Sequence, residues 1–216
     1  MMKIKNLRLA LQTAILASVV AVVGHAEETK TATFSERALQ AKIQYCTYCH
    51  QPSGEGYPLA SIPRLAGQQT EYLVNQLQAF IDRRRVNMFM FKVAHSLNPD
   101  MLPALAQHFS ELNPKPVGGG PSELVDAGKK IFEDGVPEAN IPACAACHGF
   151  EARGKGPVPR LAGQVDPYII KVLENWGKER GQDPAHPDTS AIMEPVAHGL
   201  NESQIKAVAA YLSSLE

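Results

Sequence analysis

The apolar residues of this chain recur at helical spacing. Between Tyr72 and Arg83 they fall on one face of a predicted helix, at positions 73, 74, 77, 80 and 81. A last helix is predicted after Asn201, which can cap it, with Ile205 and Val208 on the apolar side. No segment alternates apolar and polar residues well enough to predict a strand. The pattern therefore predicts an all-α protein.

Capping residues predict further helix starts. Ser35 and Ser122 each precede a glutamate and can cap a helix that runs towards a cysteine pair. The counterpart of the last helix starts at Asn98-Pro99, because proline suits the first helical position. Pro103 lies one turn further in and should loosen that turn.

The first 26 residues are typical of a secretory signal peptide. Three basic residues give a positive start, an apolar run of 15 residues covers 9–23, and Gly24-His25-Ala26 offers small residues at a cleavage site. An uncleaved membrane anchor is the alternative, but the run is shorter than the roughly 20 residues that a spanning helix needs. We therefore expect cleavage after Ala26 and export to the periplasm, so that 1–26 is absent from the mature chain.

The rest of the chain contains the same motifs twice, in the same order. Cys46-Thr47-Tyr48-Cys49-His50 parallels Cys144-Ala145-Ala146-Cys147-His148, and Pro-Arg-Leu-Ala-Gly-Gln occurs at 63–68 and at 159–164. Further matches are Ser35 with Ser122, Tyr72 with Tyr168, Phe80 with Trp176, Arg84 with Arg180, Met90 with Met193, and Val93-Ala94-His95 with Val196-Ala197-His198. The offset between the copies is 87 at Ser35, 98 at the cysteines, 96 at Pro63 and 103 at Met90. The change in offset along the chain indicates that loops of different length separate the matched motifs. We therefore predict a duplicated domain.

Proline and glycine mark the boundary between the two copies. Segment 113–121 has three prolines and three glycines in nine residues, which is typical of a linker. We predict a first domain over 27–112, a linker over 113–121 and a second domain over 122–216.

Composition and charge exclude several classes of protein. Hydrophobic residues make up 44% of the chain and charged residues 20%, as in ordinary globular proteins. The formal net charge of −1 gives no basic excess of the kind that binds nucleic acid. The charge is uneven, however, at +1 over residues 27–118 and −5 over residues 119–216.

Both cysteine pairs are followed directly by histidine, and Cys-x-x-Cys-His is the attachment signature of c-type haem. The spacing lets two thiols form thioethers with the vinyl groups of one porphyrin and places the histidine under the iron. A zinc knuckle, a thioredoxin-like dithiol and a short disulfide are other interpretations of the cysteine spacing. A structural zinc ion requires four ligands in one closed site, whereas each cysteine pair here lies in its own copy of the repeat. A redox dithiol does not require a histidine after each pair. We therefore predict two covalently bound haem c groups, on Cys46, Cys49 and His50 and on Cys144, Cys147 and His148.

Methionine is the predicted second axial ligand, because a His/Met pair suits an electron-transfer haem. The repeat selects Met90 and Met193, each seven residues before a matching leucine. Met88 is the local alternative to Met90. His95 and His198 are alternative ligands five residues further on, although a surface or propionate contact is the more common role of such a histidine. The predicted iron ligands are His50, Met90, His148 and Met193.

Taken together, the motifs resemble those of the dihaem cytochrome c4 family, within the class I cytochromes c, over nearly all of residues 30–216. The resemblance implies two tandem domains, each with crossing N- and C-terminal helices and a haem held between His and Met. It also implies that Pro63 and Pro159 accept a hydrogen bond from the proximal histidine. The propionates of the two haems are expected to point towards each other at the domain interface. The sequence departs from the family pattern in the short loop before Met90 and in His95 and His198.

The resemblance implies electron transfer, with no catalytic residues. Family members carry electrons in the bacterial periplasm from a bc-type quinol–cytochrome c oxidoreductase, or another donor, to a haem–copper terminal oxidase or similar acceptor. We expect a monomer that binds redox proteins, is soluble or loosely attached to the membrane, and does not bind nucleic acid. One alternative is a dihaem electron-entry subunit of a dehydrogenase or oxidase complex. Another is a small dihaem peroxidase or thiosulfate-oxidising enzyme, which requires one haem with a displaceable or non-methionine ligand.

A run of three arginines, Arg83-Arg84-Arg85, concentrates the positive charge of the first half. Such a run is usually ordinary solvated surface, and the alternative is that Arg83 and Arg85 help the first domain to face an acidic partner. Arg84 aligns with Arg180 and is expected to contact a haem propionate.

Overall fold

The computed structural model describes residues 34–180 and 189–216. The predicted signal peptide and its cleavage site lie outside the described residues. Within them the chain forms helices and loops, with no strand beyond three isolated two-residue bridges. The predicted all-α fold is confirmed. None of the helices in the described part of the chain is long and apolar enough to cross a membrane.

The first half, residues 34–112, contains four helices joined by loops and short 3-10 turns. The helices are α1 (Glu36–His50), α2 (Thr70–Ile81), α3 (Met88–His95) and α4 (Leu102–Ser110). The 3-10 turns are Pro58–Ala60 and Pro99–Met101. The predicted amphipathic stretch after Tyr72 is α2, and its apolar face packs on α3 and α4.

The second half, from residue 122 to the end, repeats this order with an interrupted first helix. The helices are α5 (Val125–Asp134), α6 (Ala145–His148), α7 (Asp166–Glu174), α8 (Trp176–Glu179), α9 (Glu194–Gly199) and α10 (Glu202–Ser214). The 3-10 turns are Ser122–Leu124, Pro137–Ala139 and Thr189–Met193. A loop between α5 and α6 divides what is one continuous helix in the first half. The sequence offset rises from 87 to 98 across this insertion.

Two of the three predicted side-chain caps are present. The Ser35 hydroxyl accepts a hydrogen bond from the Ala38 amide at 3.2 Å, and Asn201 forms a capping box with Gln204. The prediction for Ser122 is wrong, since no side chain caps that helix start. The chain enters through Pro121, whose carbonyl already accepts from the Leu124 amide, so Ser122 lies inside the first turn.

Each half has its own apolar core. In the first half, Ile43 of α1 packs with Leu102 and Leu105 of α4. In the second half, α5 and α7 pack against α10, with Phe132 and Tyr211 in the centre. Gly128 allows α5 to lie against α10, because a methyl group there would be 2.0 Å from the carbonyl oxygen of Ala207.

The predicted linker has no helix, but it is bound along the second half. The Gly120 amide donates to the Ser213 hydroxyl at 3.2 Å, and the Gly119 amide donates to an Asp166 carboxylate oxygen at 3.4 Å. A side chain at Gly120 would lie 2.7 Å from Ala210. Glycine here therefore permits close packing. The domain boundaries themselves stay a prediction.

Candidate functional site

The two Cys-x-x-Cys-His motifs lie at helix ends. Cys46 and Cys49 are half-buried on the last turn of α1, and the buried His50 is its final residue. Burial raises the pKa of the Cys46 thiol to about 11 and raises that of Cys144 as well. No disulfide joins the cysteines, all of which the structure describes. Each motif therefore presents two cysteine side chains about one helical turn apart.

Each histidine is held by a proline carbonyl in its own half. The Nδ1–H of His50 donates to the Pro63 carbonyl at 2.8 Å, and that of His148 donates to the Pro159 carbonyl at 2.9 Å. This confirms the hydrogen bonds predicted for the two prolines. Burial lowers the pKa of both imidazoles, while the proline carbonyls oppose that shift. The arrangement favours a neutral ring with Nε2 available as a metal ligand.

The methionines considered as iron ligands differ in exposure. Met90 and Met193 are half-buried, whereas Met88 is 70% exposed. Met193 also packs on the cluster of Val172, Trp176 and Ala197. His95 and His198 are both exposed, and His95 stacks on Phe91. These positions favour Met90 over Met88, and the axial roles of Met90 and Met193 stay a prediction.

The two Pro-Arg-Leu-Ala-Gly-Gln segments contact each other across the two halves. The Gln68 amide oxygen accepts from the Arg160 backbone amide at 2.7 Å, and its Nε2 donates to the Arg160 carbonyl at 2.9 Å. Gln164 makes the same pair of bonds to Arg64, at 2.7 and 3.0 Å. We call these four hydrogen bonds the glutamine clamp. All four residues are buried, so the clamp fixes the segments of the two halves against each other.

The buried side chains of Arg64 and Arg160 lie in the same contact. Each donates its Nε–H to the carbonyl two residues later, at 3.0 Å. Burial and the charge of Arg160 lower the pKa of Arg64 to about 10, and burial also lowers that of Arg160. Two guanidinium groups of like charge are therefore held at one interface.

A second contact between the halves joins arginines to tyrosines. Arg85 donates to the Tyr168 hydroxyl at 2.6 Å, and Arg180 donates to the Tyr72 hydroxyl at 3.3 Å. Both arginines also donate to the Gln76 amide oxygen, at 2.9 and 2.7 Å. Each arginine is thus held by a tyrosine from the other half.

These contacts correct the interpretation of the arginine run. Arg85 is buried and stacks over Phe80 at 4.6 Å, as Arg180 stacks over Trp176 at 5.0 Å. Arg85, and not Arg84, is therefore the structural counterpart of Arg180. Arg84 forms a surface ion pair with Asp82 at 3.1 Å, and Arg83 lies over the Phe91 ring. The match is thus one residue later than the sequence alignment places it, and Arg83 adopts a φ of 60° in the turn after α2.

The residues present fit a haem in each half. Each half offers two thiols and a histidine with one ring nitrogen already hydrogen-bonded. Arg64, Arg85 and Arg160 are buried cations, and among the described residues none of them forms an ion pair with a carboxylate. Buried charges in proteins are normally paired, and Arg64 also has a buried Nη1 without an acceptor. Haem propionates are anions that can satisfy such groups. In contrast, the described residues contain no cluster of three or more His, Cys, Asp or Glu suited to a metal ion.

The roles of the two clamp glutamines and of Arg85 do not follow from the sequence predictions above. The signal for the clamp was available, because Gln68 and Gln164 end a six-residue identity that is longer than a ligand motif requires. No comparable signal marked Gln76, which lies on α2 without a glutamine counterpart in the second half.

Comparisons with known proteins agree with these features. Residues 125–216 match the family model "Cytochrome c". Cytochrome c-552 of Acidithiobacillus ferridurans is 37% identical, over 79% of this chain and 73% of that protein. Cytochrome c4 of Thiocapsa roseopersicina is 36% identical, over 79% and 86%. A "thiosulfate dehydrogenase electron acceptor" of Thiomonas intermedia is also 36% identical, over 78% and 77%.

The fold matches as well as the sequence. The solved structure of cytochrome c4 from Acidithiobacillus ferrooxidans superposes with a TM-score of 0.69 at 37% identity. The match covers 80% of this chain and 99% of that chain. The similarity therefore extends over both halves of the described chain.

Proposed function

This chain belongs to the dihaem cytochrome c4 family, and on that premise we propose that it carries electrons through the bacterial periplasm. The proposed donor is a bc-type quinol oxidoreductase or another respiratory donor, and the proposed acceptor is a terminal oxidase. As a member of the family the chain is an electron carrier with two covalent haem c groups, and is not an enzyme. What we propose is the identity of the electron donor, the identity of the acceptor and the periplasmic location.

The observation that carries the proposal is the repetition of one site in two halves that are held together. A bound haem c supplies reversible one-electron exchange between ferric and ferrous iron. We propose that Cys46 and Cys49 would hold the first haem and that His50 and Met90 would be the protein ligands of its iron. The second half would use Cys144, Cys147, His148 and Met193 in the same roles. With two protein ligands on each iron, neither site would offer an open position to a substrate.

The protein side chains then have three tasks. The thiols bind the porphyrin, the proline carbonyls orient the histidine rings, and the buried arginines hold positive charge at the contact between the halves. The glutamine clamp keeps the two halves in one arrangement. Electron transfer between the sites then requires no large movement of the chain.

The test uses protein purified from the periplasm with its haems attached. We expect an intact mass equal to residues 27–216 plus two haems, and haem that acid–acetone does not extract. The oxidised protein should be reduced by quinol only when a purified bc-type complex is present, and should then be oxidised by a terminal oxidase preparation. Fewer than two haems, or rapid carbon monoxide binding by one of them, would contradict the proposed ligation.

A second donor is favoured by the comparisons. Relatives described as electron acceptors of thiosulfate dehydrogenase are 36% and 32% identical to this chain. We propose as an alternative that the chain accepts electrons from a periplasmic thiosulfate dehydrogenase. Mixing the oxidised protein with thiosulfate and such an enzyme distinguishes the two donors. Rapid reduction there, without reduction by the bc-type complex, selects the alternative.

A further inference from the structure

The chain around the start of α3 exposes apolar side chains that the core does not use. Val86 is 56% exposed, Met88 70% and Phe89 60%, so three large apolar side chains within four residues face solvent. Single exposed apolar residues are common, but a group of neighbouring ones marks a site of interaction. The helix is anchored to the core by other residues, the buried Val93 and Ala94. Packing therefore does not account for the three exposed side chains.

Exposed cations lie beside these apolar side chains. The guanidinium of Arg83 is 4.5 Å from the centre of the Phe91 ring, and Lys92 is exposed one turn after Phe89 on α3. Neither cation forms an ion pair with a described carboxylate. Residues 83–99 contain four Lys and Arg residues and no Asp or Glu. We call Arg83, Val86, Met88, Phe89 and Lys92 the α3 surface.

The second half provides an internal comparison for the α3 surface. Its α9 is the counterpart of α3, but the exposed residues differ. Ile192 is the exposed counterpart of Phe89, whereas Glu194 stands at the position of Phe91. Residues 189–202 contain two Glu and no Lys or Arg, so the sign of the charge is reversed. The same arrangement of helices thus forms with and without this surface, and folding does not require it.

The composition and the size of the α3 surface indicate the class of partner. Aromatic residues, methionine and arginine are enriched in protein interfaces, and exposed charges steer a partner of opposite sign. Obligate homodimers bury about 2,000 Å² or more, whereas electron-transfer encounters bury less than about 1,200 Å². Three apolar side chains and two cations fit the smaller class. The expected occupant is therefore a transient, acidic partner.

We propose that the α3 surface is the docking site for a redox protein whose own surface has carboxylates around an apolar centre. The inference rests on the proposed carrier function and adds the face through which one partner exchanges electrons. The apolar centre of the partner would cover Met88 and Phe89, and its carboxylates would face Arg83 and Lys92. The second half, which lacks this surface, would not compete for the same partner.

The test measures electron transfer from the reduced dihaem protein to an acidic plastocyanin by stopped flow, at low and at high ionic strength. A variant with both Arg83→Gln and Lys92→Gln should react about three- to tenfold more slowly at low ionic strength. At high ionic strength the difference should fall below about twofold, because salt screens these charges. Phe89→Ser should slow the reaction by about three- to tenfold at both ionic strengths, since salt does not screen an apolar contact.

The matched controls lie in the second half. Lys130 is an exposed lysine of α5, and Ile192 is 68% exposed. Lys130→Gln and Ile192→Ser should change the rate by less than about 1.5-fold. Neither reduction potential should move in any of the variants.

A second measurement locates the contact without any substitution. Redox-inert, cadmium-substituted plastocyanin is titrated into the reduced, isotope-labelled protein, and the shifts of its backbone amide signals are mapped by NMR. The shifts should concentrate on residues 83–95. Shifts confined to the second half, or no shifts, would overturn the inference. So would an α3 surface that instead binds anionic lipid vesicles or a second copy of the chain.

The kinetic outcomes separate this inference from the carrier function. Unchanged rates in the α3 variants, or equal losses in the controls, would overturn the inference while leaving the carrier function intact. A wild-type dihaem protein that exchanges electrons with neither plastocyanin nor the proposed respiratory partners would contradict the carrier function itself.

Discussion

His50 and His148 each have one ring nitrogen on a proline carbonyl, which leaves the other nitrogen for iron. The cysteine spacing and the two prolines could be predicted from sequence, because each acts over a few residues of chain. The arginine that enters the interface could not. Three arginines are consecutive in the sequence, and their order does not indicate that Arg85 is the one that the fold buries.

At the scale of single residues, Met90→Ala and Met193→Ala should each remove about half of the weak long-wavelength band of methionine-ligated ferric haem. Met88→Ala should leave the band unchanged, because Met88 is 70% exposed and Met90 is half-buried. The measurement is the near-infrared absorbance of the oxidised protein. Loss of the band in Met88→Ala, with the band retained in Met90→Ala, would show that the repeat selected the wrong methionine.

At the scale of helices, the termini depend on which side chains reach free backbone amides. The amphipathic stretches of α2 and α10 and the caps at Ser35 and Asn201 were predicted correctly, since these signals lie within one or two turns of sequence. The division between α5 and α6 was visible only as a change of offset. The cap predicted at Ser122 was wrong because the turn begins at Pro121.

Asn201→Ala should destabilise the protein by about 1 kcal/mol, since it removes the side-chain oxygen that accepts a hydrogen bond from the Gln204 amide at the start of α10. Ser122→Ala should change stability by less than about 0.5 kcal/mol, because the Ser122 side chain caps no helix. Denaturant unfolding of the haem-loaded protein measures both. Equal losses in the two variants would contradict the assignment of the caps.

Gly128→Ala should also destabilise the protein, although alanine is the better helix former by about 1 kcal/mol. The added methyl group would lie 2.0 Å from a backbone oxygen of α10, and overpacking of this kind costs about 1–3 kcal/mol. Gly119→Ala is the control, because a methyl group there meets no atom within 4 Å. The same unfolding measurement compares them. A stabilised Gly128→Ala protein would mean that α5 and α10 do not approach this closely.

At the scale of the whole molecule, the duplication was evident from repeated motifs, but the contact between the copies was not. The matched motifs show which residues of the two halves correspond, but they do not indicate which surfaces of the halves are in contact. The contact depends on the glutamine clamp, in which every bond uses a backbone atom of an arginine, and on tyrosine–arginine pairs separated by 83 and 108 residues.

Gln68→Ala should leave the Arg160 backbone amide and carbonyl without their partners in a buried interface, at a cost of about 1–3 kcal/mol. Pulsed EPR between the two ferric haems should then give a broader distance distribution. Gln40→Ala is the control, since the Gln40 side chain donates to Glu36 on the exposed side of α1. An unchanged distribution in Gln68→Ala would show that the other interface contacts suffice.

The glutamine clamp is self-complementary, because each half gives the same two hydrogen bonds that it receives. This is the symmetry of an isologous homodimer, in which one patch of surface binds its own copy about a two-fold axis. A single-domain ancestor with the same six-residue segment could therefore have paired with a second copy of itself. Fusion of the two genes would have replaced a dimer that dissociates on dilution with one whose subunits remain at a fixed effective concentration. After such a fusion the two copies could change independently. Gln76, which has no glutamine counterpart in the second half, and the unequal charges of the two halves are differences of this kind.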